Sequence, residues 1–181
     1  MKATGIVRRI DDLGRVVIPK EIRRTMRIRE GDPLEIYTDR DGEVIFKKYS
    51  PIGELSTFAT QYADTLSKTS GYAIFITDKD NIIAVSGASK KEFSDKKISP
   101  ELEKIMEEKT AFISKPGDNR KVQVADGIER FAAGIICPII SEGDSIGSVV
   151  FSAEADSSKM GEVEEKLAQS AAYFLGKQMD Q

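Results

Sequence analysis

Basic side chains are concentrated at the start of the chain, where they could bind an anionic partner. The first 29 residues hold nine lysines and arginines against three acids, a net charge of +6, although the whole chain carries −3. A polyanion such as nucleic acid binds a patch of this kind through its phosphates. On charge alone, the alternative is a solvated basic surface with no partner.

A short helix predicted after Pro19 would carry much of this charge. Proline ends the preceding apolar segment and suits the first position of a helix, which we predict over residues 20–27. At about 100° per residue, one side of this helix is cationic, and Ile22 and Met26 lie roughly opposite. The cationic side consists of Lys20, Arg23, Arg24 and Arg27. Like charges this close weaken an isolated helix, which favours a bound anion. Arg8, Arg9 and Arg15 flank the turn before it.

The composition excludes several other chemistries. The chain has no histidine and one cysteine, which excludes a structural zinc site, a histidine-containing triad and an intramolecular disulfide. We therefore predict no catalytic residue, no metal and no cofactor. Cys137 lies in an apolar strand and is predicted to be a small buried hydrophobe. No apolar run approaches the length of a bilayer span, so we expect a soluble cytoplasmic protein with no membrane partner.

Residues 1–50 read as two pairs of strands around the short helix. The first pair is predicted at residues 4–10 and 15–18, and the second at residues 34–38 and 44–46, with a tight turn at Asp41-Gly42. A unit this small buries little core by itself and needs a metal, disulfides or a partner chain. Since the first two are excluded, we predict a dimer. Two-fold symmetry would double the basic surface and match pseudo-symmetric duplex DNA.

The same residues carry a family resemblance. The N-terminal unit, residues 1–52, is similar to the AbrB-type family of bacterial transition-state regulators. The matching segments are residues 1–19 with Gly14-Arg15-Val16-Val17-Ile18-Pro19, residues 21–25, residues 34–37 and residues 47–49. The resemblance implies a swapped-hairpin barrel, in which two chains interleave their strands, and DNA contacts from Arg8, Arg15, Arg23 and Arg24. It also implies a regulator that activates and represses sporulation genes, on the nucleoid and in the forespore.

Residues 53–181 read as a second domain of the α+β class. Helix, hairpin, helix, three strands and helix predict an antiparallel sheet with helices on one side. We predict a Ser99 cap for the middle helix, a Ser157 or Ser158 cap for the last, and a bulge or close packing at Gly134 and Gly147. The domain resembles the GAF sensor fold over about residues 55–179. That resemblance implies an effector site for a small molecule, whose identity the sequence does not reveal.

The first helix of this domain could also join copies of the chain. Its apolar residues follow the spacing of a coiled-coil seam, and the alternative is an amphipathic helix that covers its own domain. The seam consists of Ile52, Leu55, Ala59, Tyr62 and Leu66. With the last helix, it predicts a tetramer with two DNA-binding heads.

Three function classes follow from these patterns. The leading hypothesis is a sequence-specific DNA-binding transcription regulator with an effector or oligomerisation domain. The first alternative is an antitoxin-type interaction protein with an AbrB-like head, although antitoxins usually carry a short tail in place of a folded domain. The second is an enzyme on the GAF scaffold, such as a free methionine sulfoxide reductase, whose chemistry uses more than one cysteine.

Overall fold

A computed structural model describes residues 5–115, 120–154 and 160–179. The chain divides into two compact units, Met1–Tyr49 and Ser50–Gln181, which we call the head unit and the C-terminal unit. Within the described residues, no helix is long and apolar enough to cross a membrane.

Over residues 5–49, the head unit has one helix and one hairpin. Helix α1 spans Lys20–Met26, and strands β1 (Leu34–Thr38) and β2 (Val44–Lys48) pair antiparallel. The Asp39 carboxylate closes the hairpin by accepting hydrogen bonds from the backbone N–H groups of Asp41 (3.0 Å) and Glu43 (2.9 Å). Gly42 takes a positive φ of 82°, which glycine adopts without steric cost. The predicted helix and second strand pair are therefore confirmed.

The first predicted strand pair is wrong for the single chain. No helix or strand is assigned over residues 5–18; Thr4 lies outside the described residues. A strand exists only where its backbone bonds to a neighbouring strand, and the large apolar side chains of residues 6–17 are exposed here. The segment is therefore rich in strand-forming residues and yet forms no strand among the described residues.

The C-terminal unit is built on an antiparallel sheet. Helices α2 (Pro51–Glu54) and α3 (Ser56–Ser70) precede strands β3 (Ala73–Asp78) and β4 (Ile82–Ser86). Then follow α4 (Lys90–Phe93), α5 (Pro100–Glu107), β5 (Phe112–Ile113), β6 (Val122–Ala125), β7 (Ile128–Ser141), β8 (Asp144–Ala153) and α6 (Glu162–Met179). The strand order is β4-β3-β8-β7-β5, and β6 also pairs with β7.

Helices cover both faces of this sheet, so the prediction of helices on one side is wrong. In β3, Ile74 and Ile76 belong to the apolar cluster that includes α3 and α6, whereas Phe75 belongs to the cluster that includes α4 and α5. Successive strand side chains point to opposite faces. The unbroken apolar run of β3 is typical of a strand buried on both sides.

The apolar stripe of the first long helix is used mostly inside the C-terminal unit. The predicted helix is divided at Leu55, so Ile52 lies in α2 and Ala59 and Leu66 lie in α3. All three residues are buried in the core of the unit, so the alternative of an amphipathic helix covering its own domain accounts for them. Phe58 remains exposed on the same helix.

The local predictions at Ser99, Gly134, Gly147 and Cys137 are confirmed in this unit. The Ser99 hydroxyl caps α5 by accepting a hydrogen bond from the N–H of Leu102 at 3.1 Å. The strand register shifts at Gly134, and a side chain at Gly147 would collide with the carbonyl oxygen of Thr77. Cys137 is buried, and burial, followed by the nearby Glu165 carboxylate, raises the pKa of its thiol to about 11. The predicted caps of α6, Ser157 and Ser158, lie outside the described residues.

The crossing of α6 over β7 leads to a stability prediction. A Cβ atom at Gly176 would overlap the carbonyl oxygen of Ile140. Alanine gains up to about 1 kcal/mol of helix propensity over glycine, but backbone overlap in a packed core costs about 1–3 kcal/mol. We expect Gly176→Ala to lower the free energy of unfolding by about 2 kcal/mol, measured by urea denaturation.

The matched control is Gly161→Ala. There the nearest atom to a Cβ is a Glu164 carboxylate oxygen at 3.7 Å, an ordinary contact. Its unfolding free energy should stay within about 0.5 kcal/mol of the unsubstituted protein. Equal stability of the two variants would show that α6 can move away from β7 without cost.

Candidate nucleic-acid interface

Helix α1 presents two arginines to solvent. Its first turn begins at Pro19, whose carbonyl oxygen accepts a hydrogen bond from the N–H of Arg23 at 3.0 Å. Arg23 and Arg24 are exposed, while Ile22 on the other side is half-buried. The helix therefore has the cationic and apolar sides that its sequence predicts.

Arg27 departs from the predicted cationic side because it ends the helix. It adopts a left-handed conformation with φ 52° and ψ 39°. The N–H of Ile28 then reaches the carbonyl oxygen of Arg23 at 2.8 Å, and the N–H of Arg27 reaches that of Arg24 at 3.3 Å. This is the usual closure of a helix C-terminus, and it takes Arg27 out of the helical periodicity that placed it beside Arg23 and Arg24.

The turn before α1 is organised by one carboxylate. Asp11 Oδ1 accepts hydrogen bonds from the N–H groups of Leu13 (3.0 Å) and Arg15 (2.7 Å), and Asp11 Oδ2 accepts one from Arg15 Nε (2.9 Å). These bonds, that of the Arg15 N–H first, hold the pKa of Asp11 below its ordinary value of 3.8. The Arg15 side chain is 70% exposed. A bond through Nε uses one of the five guanidinium donors, so an anion can still reach this side chain.

Arg8 and α1 border the same groove. The groove has a volume of about 290 Å³ and an apolar lining, with Arg8 as its charged member. Its other lining residues are Ile6, Val16, Val17, Ile18, Pro19, Ile22, Met26, Ile28 and Phe46. The structure thus places Arg8 beside the apolar side of α1. Asp11 fixes Arg15, whereas Arg23 and Arg24 lie at exposed positions of the helix.

The head unit buries almost none of its apolar side chains. Among residues 5–49, Pro19 is the one apolar residue that is buried. Ten large hydrophobic residues in the same range are exposed: Ile6, Val7, Ile10, Leu13, Val16, Val17, Met26, Ile36, Tyr37 and Val44. An apolar surface of this extent marks an interaction site.

Sequence patterns missed one polar cluster beside α1. Lys48 Nζ donates a hydrogen bond to the carbonyl oxygen of Arg27 at 3.0 Å and lies 3.6 Å from Asp32 Oδ2. The same carboxylate oxygen accepts a hydrogen bond from the N–H of Arg29 at 2.9 Å. We call Asp32 and Lys48 the clasp. Because the two residues are far apart in the chain, no local spacing could reveal them.

The chemistry available at this surface is anion binding. Within the described residues, no group of three or more acids, cysteines or histidines could hold a metal ion. The exposed guanidinium groups are suited to phosphate oxygens, which they bind with charge-assisted hydrogen bonds.

Comparison with known proteins assigns the chain to a class of transcription factors with an AbrB-like head and a C-terminal domain of GAF-like fold. Residues 54–180 match the family model described as "Stage V sporulation protein T C-terminal, transcription factor". Stage V sporulation protein T of Bacillus subtilis (strain 168) is 56% identical over 182 residues, covering 100% of both chains. The chain belongs to the stage V sporulation protein T family.

Separate matches cover the two units. The transition state regulatory protein AbrB of Bacillus subtilis (strain 168) is 65% identical over 51 residues, 28% of this chain and 52% of that protein. Residues 7–53 match the model "Antidote-toxin recognition MazE, bacterial antitoxin". The GAF domain of the Acinetobacter phosphoenolpyruvate-protein phosphotransferase has a TM-score of 0.58 at 10% identity, covering 69% of this chain and 81% of that one; this similarity concerns the fold alone.

The hydrogen bonds of the Asp11 turn predict how the pKa of Asp11 responds to a substitution. Replacing Arg15 by alanine removes the Nε bond but keeps the N–H of residue 15, which is the main cause of the shift. We therefore expect the pKa of Asp11 to rise in Arg15→Ala and still stay below 3.8, as measured by carboxyl carbon NMR.

The direction of the pKa shift also sets how the stability of the turn depends on pH. Because the pKa of Asp11 is lower in the folded state, its carboxylate stabilises the turn at pH values above the unfolded pKa of about 4. This contribution is lost as the pH falls through the folded pKa. Full return of the Asp11 pKa to its ordinary value in Arg15→Ala would contradict the backbone explanation.

Proposed function

We propose that this protein is a sequence-specific DNA-binding transcription regulator of sporulation genes, which activates some and represses others. The observation that carries the proposal is the exposed pair Arg23 and Arg24 on a helix whose other side faces an apolar groove. The full-length similarity to a stage V sporulation protein supports the biological setting. A regulator of this kind works on the nucleoid, in the cytoplasm, and the relative's role in sporulation suggests the forespore.

We assign the DNA contacts to Arg8, Arg15, Arg23 and Arg24. Phosphate contacts position a protein on the duplex, and contacts with base edges supply the specificity. Arginine can do both, since its guanidinium binds phosphate oxygens and the O6 and N7 atoms of guanine. The exposure of Arg15, Arg23 and Arg24 supports this role.

A second copy of the chain is the occupant we propose for the apolar groove. Residues 5–18 are rich in strand-forming side chains but form no strand here, and their large apolar side chains are exposed beside and within the apolar groove. Two chains that exchange hairpins would pair these segments as strands and bury the apolar side chains together. This is the swapped-hairpin dimer that the AbrB-type resemblance implies.

The match to a MazE antitoxin model makes a toxin-binding head the second candidate function. A toxin segment could also cover the apolar groove. DNA binding accounts better for the exposed Arg23 and Arg24, which an apolar partner would leave unused. The folded domain that follows the head also has its counterpart in a transcription factor family.

The C-terminal unit is proposed to sense a small effector and to join dimers into tetramers. Phe58 and Tyr62 of α3 and Phe174 of α6 form an aromatic cluster with ring centroids 5.8–6.0 Å apart. Phe58 is 37% and Phe174 41% exposed, and partial burial raises the pKa of Tyr62. A second copy of the cluster would cover these rings. Contacts between aromatic rings add stability beyond that of the buried area alone.

A catalytic role is not part of the proposal. A reductase that forms and resolves a disulfide needs a second thiol, and this chain has one cysteine. Burial raises the pKa of Cys137 to about 11, which keeps it as the unreactive thiol near neutral pH.

The proposed function is tested with Arg23→Ala and Arg24→Ala in the full chain. The probe is the duplex that the unsubstituted protein enriches most from a randomised pool. Each variant should bind it at least about tenfold more weakly, and the slope of log affinity against log salt should fall by about 0.9 for each phosphate that the variant no longer neutralises. Circular dichroism should show unchanged melting, since both side chains are exposed.

Arg40→Ala is the matched control, because it removes the same charge from an exposed residue of the β1–β2 turn. It should change the affinity by less than about threefold. A salt-independent affinity for the unsubstituted protein, or equal losses in all three variants, would contradict the assigned interface.

The assembly proposal is tested by light scattering. The unsubstituted chain should have four times its 20.0 kDa mass. Phe58→Ser with Phe174→Ser should reduce this to the mass of a dimer, because it removes the aromatic cluster. Tyr173→Ser is the control, since that residue is also exposed on α6 but lies outside the cluster. A dimeric unsubstituted protein would contradict the tetramer, and a tetrameric double variant would place its interface elsewhere.

A further inference from the structure

The end of the arginine helix is held by side chains from distant parts of the head unit. Lys48, the last residue of β2, reaches back to the carbonyl oxygen of Arg27, immediately after α1. Asp32 lies beside Lys48 and also accepts the N–H of Arg29. The clasp therefore connects the helix terminus, the loop that follows it and the hairpin.

This connection matters because, within the single chain, α1 is short and makes few contacts of its own. The helix has seven residues, no side-chain hydrogen bond at its N-terminus and no buried residue. A helix this short is unstable by itself, and adjacent positive charges weaken it further. A cation near the carbonyl end is favourable for a helix, and Lys48 supplies one from another element.

Burial separates the clasp from an ordinary surface ion pair. The Asp32 side chain is 5% exposed and that of Lys48 is 23% exposed. Exposed ion pairs contribute little because solvent screens them. A nearly buried carboxylate that accepts a backbone N–H and pairs with a lysine is constrained in position, and that constraint passes to the backbone it bonds.

We propose that Asp32 and Lys48 are positioning residues for DNA recognition: the clasp fixes the direction in which α1 presents Arg23 and Arg24. The inference rests on the proposed function and adds residues that do not themselves touch the duplex. An acid thereby strengthens binding to a polyanion, although its charge alone opposes it.

The charge of Asp32 and its positioning role have opposite effects on DNA binding. The two explanations therefore predict opposite changes in affinity when Asp32 is replaced by asparagine. If electrostatics alone governs binding, Asp32→Asn removes a negative charge from the head and strengthens DNA binding. The same result follows if Lys48 contacts a phosphate directly, because the substitution releases it from its partner. If the clasp positions α1, Asp32→Asn weakens binding to the specific duplex.

The experiment measures the affinity of the full chain for two probes, the duplex most enriched from a randomised pool and a duplex of shuffled sequence. We expect Asp32→Asn to bind the enriched duplex about tenfold more weakly, equivalent to about 1.4 kcal/mol, and to bind the shuffled duplex as well as before or better. The matched control is Glu30→Gln, which removes a negative charge from an exposed residue two positions away. It should bind both duplexes at least as well as the unsubstituted protein.

Lys48→Met provides a second arm if Asp32→Asn does not fold by circular dichroism. A positioning role predicts a larger loss on the enriched duplex than on the shuffled one. A direct phosphate contact predicts an equal loss on both duplexes, which would overturn the inference. Affinity of Asp32→Asn for the enriched duplex equal to or above that of the unsubstituted protein would also overturn it.

Binding of the unsubstituted protein to the two duplexes distinguishes a failure of this inference from a failure of the proposed function. If it fails to prefer the enriched duplex over the shuffled one, the proposed function fails and the inference with it. If it shows the preference and Arg24→Ala loses it, while Asp32→Asn retains it, only the clasp is wrong.

Discussion

Burial of apolar surface is the constraint on which the head unit depends. Folding must offset the loss of chain entropy, of order 1 kcal/mol per residue, mainly by removing apolar side chains from water. Residues 5–49 have one buried residue, Pro19, and an open groove lined by aliphatic side chains. A single copy therefore lacks the core that would stabilise it. The proposed dimer would couple folding to assembly and bury these side chains between two chains.

Acids organise the basic surface that they partly neutralise. Asp11 fixes the Arg15 backbone and Nε, and Asp32 holds Lys48 against the end of α1. Both carboxylates bond backbone N–H groups as well as a cation. The net positive charge of the head draws DNA nonspecifically. The acids give particular basic groups fixed positions, as the proposed recognition of a DNA sequence requires.

The C-terminal unit uses aromatic residues in two different environments. Phe75, Phe93 and Phe131 pack edge to face, 5.1–5.7 Å apart, within the core on the side of α4 and α5. Phe58, Tyr62 and Phe174 form a similar group at the surface on the other side. The first group fills the space between the sheet and its short helices. The second group leaves part of its ring area exposed to solvent. Assembly with another copy would bury that area.

Sequence alone determined the features that depend on near neighbours. The helix after Pro19, the Asp41-Gly42 turn, the Ser99 cap and the buried Cys137 follow from the conformational limits and polarity of a few adjacent residues. The tertiary structure decided what depends on distant parts of the chain. It formed no strand over residues 5–18, covered both faces of the sheet, and placed Lys48 at the end of α1. Strand pairing and ion pairing are contacts between residues far apart in sequence, and no local periodicity encodes which partner each will meet.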